Sequence, residues 1–270
     1  MEGSGTNREA KTAPQGFCRE VFCPIFDPMS QYLVIIPTYN EKDNVELMVR
    51  KVFDLPRPFH LLIVDDGSPD GTAQIVKELQ KEYPGRLHIE ERAGKQGLGT
   101  AYVHGFKWGM ARGYEFLFEM DCDFSHNPDD LPRLLDACER DGFDLSIGSR
   151  YVKGGGVENW PRGRVLMSKY ASVYVRIVTW MPVHDTTAGF KCYRKRVLEK
   201  ILQEPPRFVG YAFQIEMKFR TWKYGFKIKE VPIIFTDRKR GESKMSGKIF
   251  NEAFFGVLKI KWSSLFKKWK

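Results

Sequence analysis

The chain has 270 residues, of which 42% are hydrophobic, enough for one large core and at most a small additional subdomain. Its five cysteines are odd in number, scattered and without a C-x-x-C pair, so the pattern predicts reduced thiols rather than a disulfide framework or a zinc site. The net charge is +9, and residues 236–270 alone hold ten Lys and Arg against three Asp and Glu, a net charge of +7. No RNA- or DNA-reading motif accompanies this charge, so we expect no nucleic-acid partner.

The first 28 residues are rich in Gly, Pro, Thr and charged residues, and they lack the apolar stretch of a secretory signal. We therefore expect residues 1–28 to be a disordered tail or a vector-derived extension, with Met29 as a candidate natural start. No segment reaches the roughly 18 uninterrupted apolar residues of a spanning helix, so we expect the protein not to cross a membrane.

Short apolar runs alternate with helical patterns through the first 150 residues. Strands are predicted at residues 33–36, 61–64, 88–90, 114–120 and 144–148. Helices are predicted at residues 44–53, 72–83, 97–112 and 128–140. This β-α-β-α order predicts an α/β fold with a doubly wound, mostly parallel sheet and flanking helices. We place the catalytic domain at residues 29–245.

The C-terminal segment 246–270 is predicted to be a basic amphipathic helix. Its apolar stripe consists of Phe250, Phe254, Val257, Leu258, Trp262, Leu265 and Trp269. Such a stripe packs on its own domain or lies in a membrane interface, and the sequence favours neither alternative. The apolar segment 166–181 is a second candidate for contact with a membrane.

Polar clusters follow three of the predicted strands. The sequence PTYNE occupies residues 37–41, DDGSPDGT occupies residues 65–72, and an Asp-Cys-Asp triplet occupies residues 121–123. In open α/β sheets, ligands bind off the carboxyl ends of the strands, where these clusters fall. The clusters therefore predict a binding site at that edge of the sheet.

Asp121 and Asp123 are candidate metal ligands. An Asp-x-Asp sequence alone is also compatible with a simple turn held by Asx hydrogen bonds. At the end of a buried strand, however, two carboxylates suit a hard divalent cation, which commonly shares its shell with substrate phosphates. Ser125 is a candidate for a further oxygen ligand. Such an ion neutralises the charge that grows on a departing diphosphate.

In the second cluster, Asp66 is a candidate to accept hydrogen bonds from the base or ribose of a nucleotide. Ser68 or Asp70 is expected to cap the helix that follows, because Ser and Asp are favoured at that position.

The first cluster likewise contains candidates for ligand binding and candidates for helix capping. Tyr39 is a candidate to stack on a base and Glu41 to bind the edge of the base, while Asn40 or Asp43 is expected to cap the next helix.

A basic segment near the C-terminus contains Arg238, Arg240 and Lys244 with Gly241. Such a run is often only a solvated surface, but a loop with these residues is also what a site for two phosphate groups needs. Arg150, just after the predicted strand at 144–148, is a second phosphate-binding candidate.

These motifs resemble those of the dolichol-phosphate (polyprenyl-monophosphate) mannosyltransferases, which belong to the family 2 glycosyltransferases with the GT-A fold. The resemblance rests on P-T-Y-N-E, D-D-G-S-P-D-G-T, D-x-D and the late R-x-x-G-E-S-K. The first two motifs are typical of family 2 in general. The segments at residues 97–101, 185–190 and 241–244 restrict the resemblance to the mannosyltransferases within it. The resemblance runs from about Tyr32 to Lys248.

The resemblance implies GDP-mannose as donor, Mg²⁺ or Mn²⁺ as cofactor, and a polyprenyl monophosphate as acceptor. It implies a cytoplasmic protein, peripheral on the membrane surface, with an anchoring subunit as a further candidate partner. The guanosine part would be bound by Pro37, Tyr39, Glu41, Val64 and Asp66. The sugar-diphosphate and metal centre would consist of Asp121, Cys122 and Asp123, with Asp123 the chief ligand. Phosphates would be bound by Arg150, Arg238 and Lys244. The expected catalytic residues are Asp121, Asp123, Arg238 and Lys244.

Three other functions compete with this interpretation. The same reaction with UDP-glucose as donor would differ only in a few contacts to the base. A polysaccharide-extending transferase would typically carry Q-x-x-R-W, which the sequence at residues 219–222 does not supply. A catalytically silent nucleotide-sugar-binding subunit is disfavoured because Asp121 and Asp123 are both present.

Overall fold

The computed structural model describes residue 1, residues 30–237 and residues 247–269. The strands are β1 (Tyr32–Thr38), β2 (His60–Asp65), β3 (Leu87–Glu91), β4 (Phe116–Glu119), β5 (Leu145–Ser149), β6 (Gly156–Glu158), β7 (Lys191–Arg194), β8 (Ile228–Pro232) and β9 (Ile234–Thr236). The helices are α1 (Lys42–Phe53), α2 (Thr72–Glu82), α3 (Leu98–Ala111), α4 (Leu131–Glu139), α5 (Arg162–Thr179), α6 (Lys195–Ile201), α7 (Tyr211–Lys223) and α8 (Gly247–Leu265). The predicted extension at residues 1–28 lies, apart from residue 1, outside the described residues.

Seven strands form the central sheet in the order β3-β2-β1-β4-β7-β5-β8. β1 pairs in parallel with both β2 and β4, and β5 pairs in parallel with β8. β7 runs antiparallel between β4 and β5, so the carboxyl ends of β4 and β5 still meet at the same edge. A second, two-stranded sheet pairs β6 with β9. The predicted mostly parallel α/β sheet is confirmed, with β7 as an antiparallel strand that the sequence did not predict.

The central strands are buried on both faces. In β1, Leu33 and Ile35 join one apolar cluster, while Val34 and Ile36 join the other, as the two-residue period of a strand requires. The first cluster includes residues from α3, α5, α6, α7 and α8, and the second includes residues from α1, α2 and α4. Helices therefore cover both faces, which explains why these strands are continuous apolar runs.

Small residues let α3 lie close to the sheet. A Cβ on Gly105 would come within 2.5 Å of Ile35 Cγ2, and one on Gly109 within 2.6 Å of Leu33 Cδ2. Distances below 3 Å are too short for carbon atoms, so only glycine permits this approach. The small-residue helix predicted at 97–112 is thus confirmed, and its composition has a packing reason.

The C-terminal stripe divides between two environments. Val257 and Ile260 of α8 are buried in the first cluster, and Trp269 packs against the same cluster. Trp262 and Leu265 are instead 68% and 63% exposed. The described stripe residues therefore do not share one environment, because packing on α5 and α7 buries Val257 and leaves Trp262 and Leu265 exposed. Within the described ranges, no helix is both long and apolar enough to span a bilayer.

Candidate functional site

The predicted polar clusters meet at the carboxyl edge of the central sheet. Thr38 ends β1 beside Asp65 at the end of β2, and the Thr38 hydroxyl donates to Asp65 Oδ1 at 2.9 Å. The Asp66 amide donates to the Thr38 carbonyl at 3.0 Å. On the other side of β1, the Met120 amide donates to the Ile35 carbonyl, which leads the chain into Asp121. The sheet register thus brings the three motifs together.

The turn after β2 is fixed by its own side chains. Asp70 Oδ1 accepts from the Thr72 amide at 3.0 Å at the start of α2. The cap residue of α2 is nevertheless Gly71, so the predicted capping by Ser68 or Asp70 was wrong. The Ser68 hydroxyl instead donates to Asp65 and accepts from the Asn40 amide, joining the first two clusters.

The predicted cap of α1 was wrong. The cap residue is Glu41, not Asn40 or Asp43. Asn40 has a φ of 56°, in the left-handed region that Asn tolerates better than most residues. The next residue, Glu41, is the cap, and α1 begins at Lys42.

Asp66 forms a buried ion pair with Arg92, a residue that the sequence did not single out. Arg92 Nε donates to Asp66 Oδ1 at 2.6 Å, and the two side chains are 8% and 11% exposed. Arg92 Nη1 also donates to the Thr100 hydroxyl of α3 at 2.8 Å. Nearby, the Lys95 ammonium lies 3.6 Å from the centre of the Tyr39 ring. A cation on an aromatic face is an attractive contact, and it holds residues 92–95 over the first two clusters.

Asp121 and Asp123 lie in a tightly held turn after β4. The Tyr102 hydroxyl of α3 donates to Asp121 Oδ1 at 3.2 Å, and burial together with the Asp121 charge raises the Tyr102 pKa well above its usual value. The Asp121 amide donates to His126 Nδ1 at 3.3 Å, while the His126 ring stacks on Phe190. Phe124 has a φ of 59°, an unfavourable conformation for a bulky residue and one that occurs at functional sites.

The oxygen donors of this turn fit a divalent cation whose coordination shell is completed by the substrate. Asp121 is partly exposed, Asp123 accepts from the Ser125 amide at 3.0 Å, and Ser125 is itself 3% exposed. No cluster of three or more His, Cys, Asp or Glu side chains in the described ranges could hold a metal ion alone. Two carboxylates with a hydroxyl are nevertheless hard oxygen donors, and Mg²⁺ typically takes one or two carboxylates and shares the rest of its shell with phosphates and water.

Val64, predicted to bind the guanosine part, and Cys122, predicted in the sugar-diphosphate centre, both have buried side chains. Val64 is fully buried in the core of β2, so the structure places it beneath the edge rather than on the site surface. Cys122 is 3% exposed and packs in the second cluster. Its burial raises the pKa of its thiol well above the usual value, so the residue is a small apolar filler of the turn. Pro37, Tyr39 and Glu41 are partly exposed at the edge.

Arg150 is fixed on the opposite flank of the Asp121–Asp123 turn, after β5. Its Nε and Nη2 donate to Asp185 Oδ2 and Oδ1, each at 2.7 Å, and Nη2 also donates to the Thr187 hydroxyl at 2.9 Å. Burial alone would raise the pKa of Asp185, but the charge and hydrogen bonds of Arg150 lower it below its usual value. The guanidinium is therefore held rigidly by a charged partner.

A second arginine, Arg164 in the first turn of α5, lies near this flank. It pairs with Asp237 at 3.0 Å, and its guanidinium lies 4.1 Å from the centre of the Trp160 ring, which Arg150 approaches to 5.6 Å. The Thr236 amide donates to the Ser125 carbonyl, so β9 ends beside the Asp121–Asp123 turn. The predicted phosphate-binding residues Arg238 and Lys244 follow directly in the sequence but lie outside the described residues.

Solved structures with the same architecture include glycosyltransferases. Glucosyl-3-phosphoglycerate synthase of Mycobacterium tuberculosis, in complex with Mn²⁺, UDP and glucosyl-3-phosphoglycerate, is similar with a TM-score of 0.62. The similarity covers 86% of this chain and 80% of that one at 16% identity. A mannosyltransferase from Pyrobaculum calidifontis, in complex with GDP-Man and Mn²⁺, has a TM-score of 0.54 at 14% identity over 88% of this chain and 74% of that one. The fold is therefore of the GT-A type.

Sequence relatives are much more similar. Polyprenol monophosphomannose synthase of Mycolicibacterium smegmatis is 50% identical over 85% of this chain and 86% of its own length. Undecaprenyl-phosphate mannosyltransferase of Micrococcus luteus is 45% identical over 86% of this chain and 96% of its own length. The profile of glycosyl transferase family 2 matches residues 33–202, which include the strand-end clusters, the Asp121–Asp123 turn and Arg150. This chain belongs to glycosyl transferase family 2.

Proposed function

We propose that the protein transfers mannose from GDP-mannose to the phosphate of a polyprenyl monophosphate, with inversion at the sugar carbon. One observation carries this proposal. The sheet order β2-β1-β4-β7-β5 puts the Asp121–Asp123 turn between Asp66 on one flank and the Arg150–Asp185 pair on the other. This arrangement supports a nucleotide on one flank and a second phosphate group on the other. The two mannosyltransferase relatives, at 50% and 45% identity, support the same sugar and acceptor class.

On the nucleotide flank, Asp66, Tyr39 and Glu41 would bind the guanosine part. Arg92 already holds the Asp66 carboxylate in place, and the Lys95 ammonium lies over the Tyr39 ring. Side chains held before the ligand arrives lose little freedom on binding, which favours affinity.

On the acceptor flank, Arg150, Arg164, Arg238 and Lys244 would hold the lipid phosphate. A phosphate monoester has its second pKa near about 6, so it is mostly a dianion at neutral pH and needs no strong general base. It does need positive charge to approach a second phosphate group. An oxygen of the dianion then attacks the sugar carbon as the bond to the GDP oxygen breaks, and GDP departs with the bonding electrons.

Asp121, Asp123 and Ser125 would hold Mg²⁺ or Mn²⁺, which when bound supplies positive charge to the diphosphate. The Tyr102 and His126 contacts to Asp121 orient that residue toward the same place. Both side chains come from outside the Asp121–Asp123 turn, so the carboxylates would keep their position as the charge on the leaving group changes.

A long apolar surface on α5 and α8 supports action at a membrane. Its exposed side chains on and just after α5 are Leu166, Met167, Tyr170, Val173, Ile177 and Trp180. Those on and just after α8 are Phe254, Phe255, Leu258, Trp262, Leu265 and Phe266. We propose peripheral binding to the cytoplasmic face, because the three described cysteines are free thiols, as in a reducing compartment. An anchoring subunit would bind the same surface.

The deciding experiment supplies the purified protein and Mn²⁺ with labelled GDP-mannose, UDP-glucose or UDP-N-acetylglucosamine, together with polyprenyl phosphate. We expect label in the lipid phase from GDP-mannose and not from the two UDP-sugars. Lipid labelling from UDP-glucose alone would contradict the proposed donor, and the absence of labelled lipid with any donor would contradict the reaction.

A further inference from the structure

Two polar side chains of α7 are buried beneath the site, one helical turn apart. Gln214 is 4% exposed and Lys218 is fully buried. An apolar residue of similar size at either position would avoid the cost of removing a polar group from water. Packing alone therefore does not explain why these two polar residues lie in the core. Their hydrogen-bond partners do.

Gln214 is joined to the strand that leads into the Asp121–Asp123 turn. Its Nε2 donates to Glu119 Oε2 at 2.8 Å, and its Oε1 accepts from the Lys191 ammonium. Glu119 and Lys191 are themselves a fully buried ion pair at 3.0 Å and face each other across β4 and β7. Glu119 ends β4 and precedes Asp121 by two residues, so Gln214 fixes the root of that turn.

Lys218 is joined to the segment that holds Arg150. Its ammonium donates to the Thr186 carbonyl at 3.0 Å and to the Ala188 carbonyl at 2.6 Å. These carbonyls flank Thr187, and Asp185 precedes them; both residues accept from the Arg150 guanidinium. The buried ammonium therefore fixes the backbone on which the Arg150 partners stand.

Burial and the neighbouring Lys191 charge lower the Lys218 pKa well below its usual value. The same surroundings make its hydrogen bonds to carbonyls strong and their loss costly.

A third buried polar residue of α7 shows what a purely structural role looks like. Arg220 pairs with Glu216 of the same helix and donates to the carbonyls of Ile201, Glu204 and Pro205. The segment 201–205 contains none of the residues assigned to the site. Arg220 is thus a buried cation that holds a loop by its carbonyls, as Lys218 does, without a connection to either phosphate flank.

We propose that Gln214 and Lys218 are positioning residues that fix the two flanks of the site separately. Gln214 acts through Glu119 on the Asp121–Asp123 turn and so on the donor diphosphate. Lys218 acts through residues 185–188 on Arg150 and so on the acceptor phosphate. This inference rests on the proposed function, and α7 is then the common frame that sets the distance between the two phosphate groups.

The test compares Lys218→Met with the matched control Arg220→Met in the full chain, using GDP-mannose, Mn²⁺ and a short-chain polyprenyl phosphate. Each variant loses a buried cation that binds loop carbonyls, so both should unfold at lower temperature. We expect Lys218→Met to raise the KM for the acceptor about tenfold, the effect of one disturbed charged hydrogen bond, with the donor KM within about twofold of wild type. Arg220→Met should leave both KM values unchanged.

Gln214→Met should give the opposite pattern, with the donor KM and the Mn²⁺ half-saturation concentration raised and the acceptor KM unchanged. If Lys218→Met does not fold, Thr187→Val replaces it, because it removes the hydroxyl that accepts from Arg150 and donates to Asp185 and should raise the acceptor KM alone. Equal changes in both KM values, or none, in folded variants would overturn the inference. A wild-type protein inactive with these substrates would instead contradict the proposed function.

Discussion

At the scale of single residues, charged side chains of the candidate site are already held in ion pairs within the protein. Asp66 is paired with Arg92, and Arg150 with Asp185, and in both pairs the side chains are at most 11% exposed. Such pairs contribute little net stability, because removing two charges from water offsets their attraction. Their value lies in orientation, since a group that is fixed before binding need not reorganise as charge moves during the reaction.

Asp123→Asn is expected to abolish most transfer while leaving the fold intact. The amide keeps the size of the carboxylate and can still accept from the Ser125 amide, but it lacks the charge that holds a divalent cation. Losing a group of this kind lowers turnover by about 10²–10³ or more. The measurement is the initial rate of lipid labelling, with circular dichroism to check folding.

The control for this change is Asp129→Asn. Asp129 is an acidic residue of the same region, but its side chain is 53% exposed and pairs with Lys51 on the surface. Exposed pairs contribute at most about 1 kcal/mol, so this variant should keep full activity and stability. A folded Asp123→Asn protein with normal turnover would remove Asp123 from the site.

The site residues that could be proposed from the sequence are those that lie where their own strand ends. Asp66, Asp121 and Asp123 could be recognised because each directly follows a buried apolar run, and the edge of a sheet collects such residues. Arg92 and Gln214 could not, because they contact residues 26 and 95 positions away in the chain. Asp185 lies in a segment that carries the family resemblance, but its pairing with Arg150, 35 positions away, could not be predicted. Their contacts depend on how helices and loops pack over the sheet, and the spacing of residues in the sequence does not predict that packing.

At the scale of secondary structure, the parallel part of the sheet was predictable and β7 was not. The parallel strands are apolar runs separated by helices, which is the usual pattern of a buried parallel sheet. β7 has the sequence Lys-Cys-Tyr-Arg, and its buried Lys191 pairs with Glu119, which faces it on the adjacent strand β4. A strand whose charged residue is neutralised by a distant partner cannot be recognised from its own composition.

The close contact of α3 with β1 gives a prediction for that helix. Gly105→Ala would bring a Cβ within 2.5 Å of Ile35 Cγ2, a branched methyl group in the centre of the sheet. The sheet or the helix must shift, and overpacking of this kind costs about 1–3 kcal/mol. Because α3 also carries Tyr102 and Thr100, the shift should in addition lower activity. Urea unfolding gives the change in the free energy of unfolding.

Gly163→Ala is the matched control for that change. It also replaces a helical glycine, in α5, but nothing lies within 4 Å of the added Cβ. Alanine is the better helix former by up to about 1 kcal/mol, so the variant should be as stable as wild type or more stable. Equal stability of Gly105→Ala and wild type would show that α3 can move away from β1 without cost.

At the scale of the whole molecule, the apolar surface of α5 and α8 begins at the site. Arg164 in the first turn of α5 pairs with Asp237 beside the Asp121–Asp123 turn, and exposed Leu166 and Met167 follow it at once. The surface is continuous between the helices, because the Tyr174 ring stacks on Phe254 at 4.8 Å and the Lys261 ammonium covers Trp180 at 3.6 Å. An acceptor phosphate at the site would thus have its lipid chain beside an apolar, partly cationic face.

This surface predicts reversible, salt-sensitive binding to vesicles that contain anionic lipid. Apolar side chains enter the interface while nearby lysines are each worth about 1 kcal/mol against an anionic leaflet. The double variant Trp262→Ser, Leu265→Ser should bind at least about tenfold more weakly, because each side chain contributes about 1.5–3 kcal/mol when removed from water. Trp269 is left unchanged, since it packs on Phe219 and Tyr224 and its loss would disturb the core.

Cosedimentation with phosphatidylglycerol vesicles over a range of salt concentrations measures this binding, and Leu47→Ser is the control. Leu47 is 50% exposed, like the two target residues, but lies on α1, so its replacement should not change vesicle binding. The double variant should also transfer mannose poorly to a long-chain acceptor in vesicles, yet normally to a short soluble acceptor, because its site is intact. Unchanged vesicle binding by the folded double variant would exclude α8 as the membrane contact and leave α5 or a partner protein in that role.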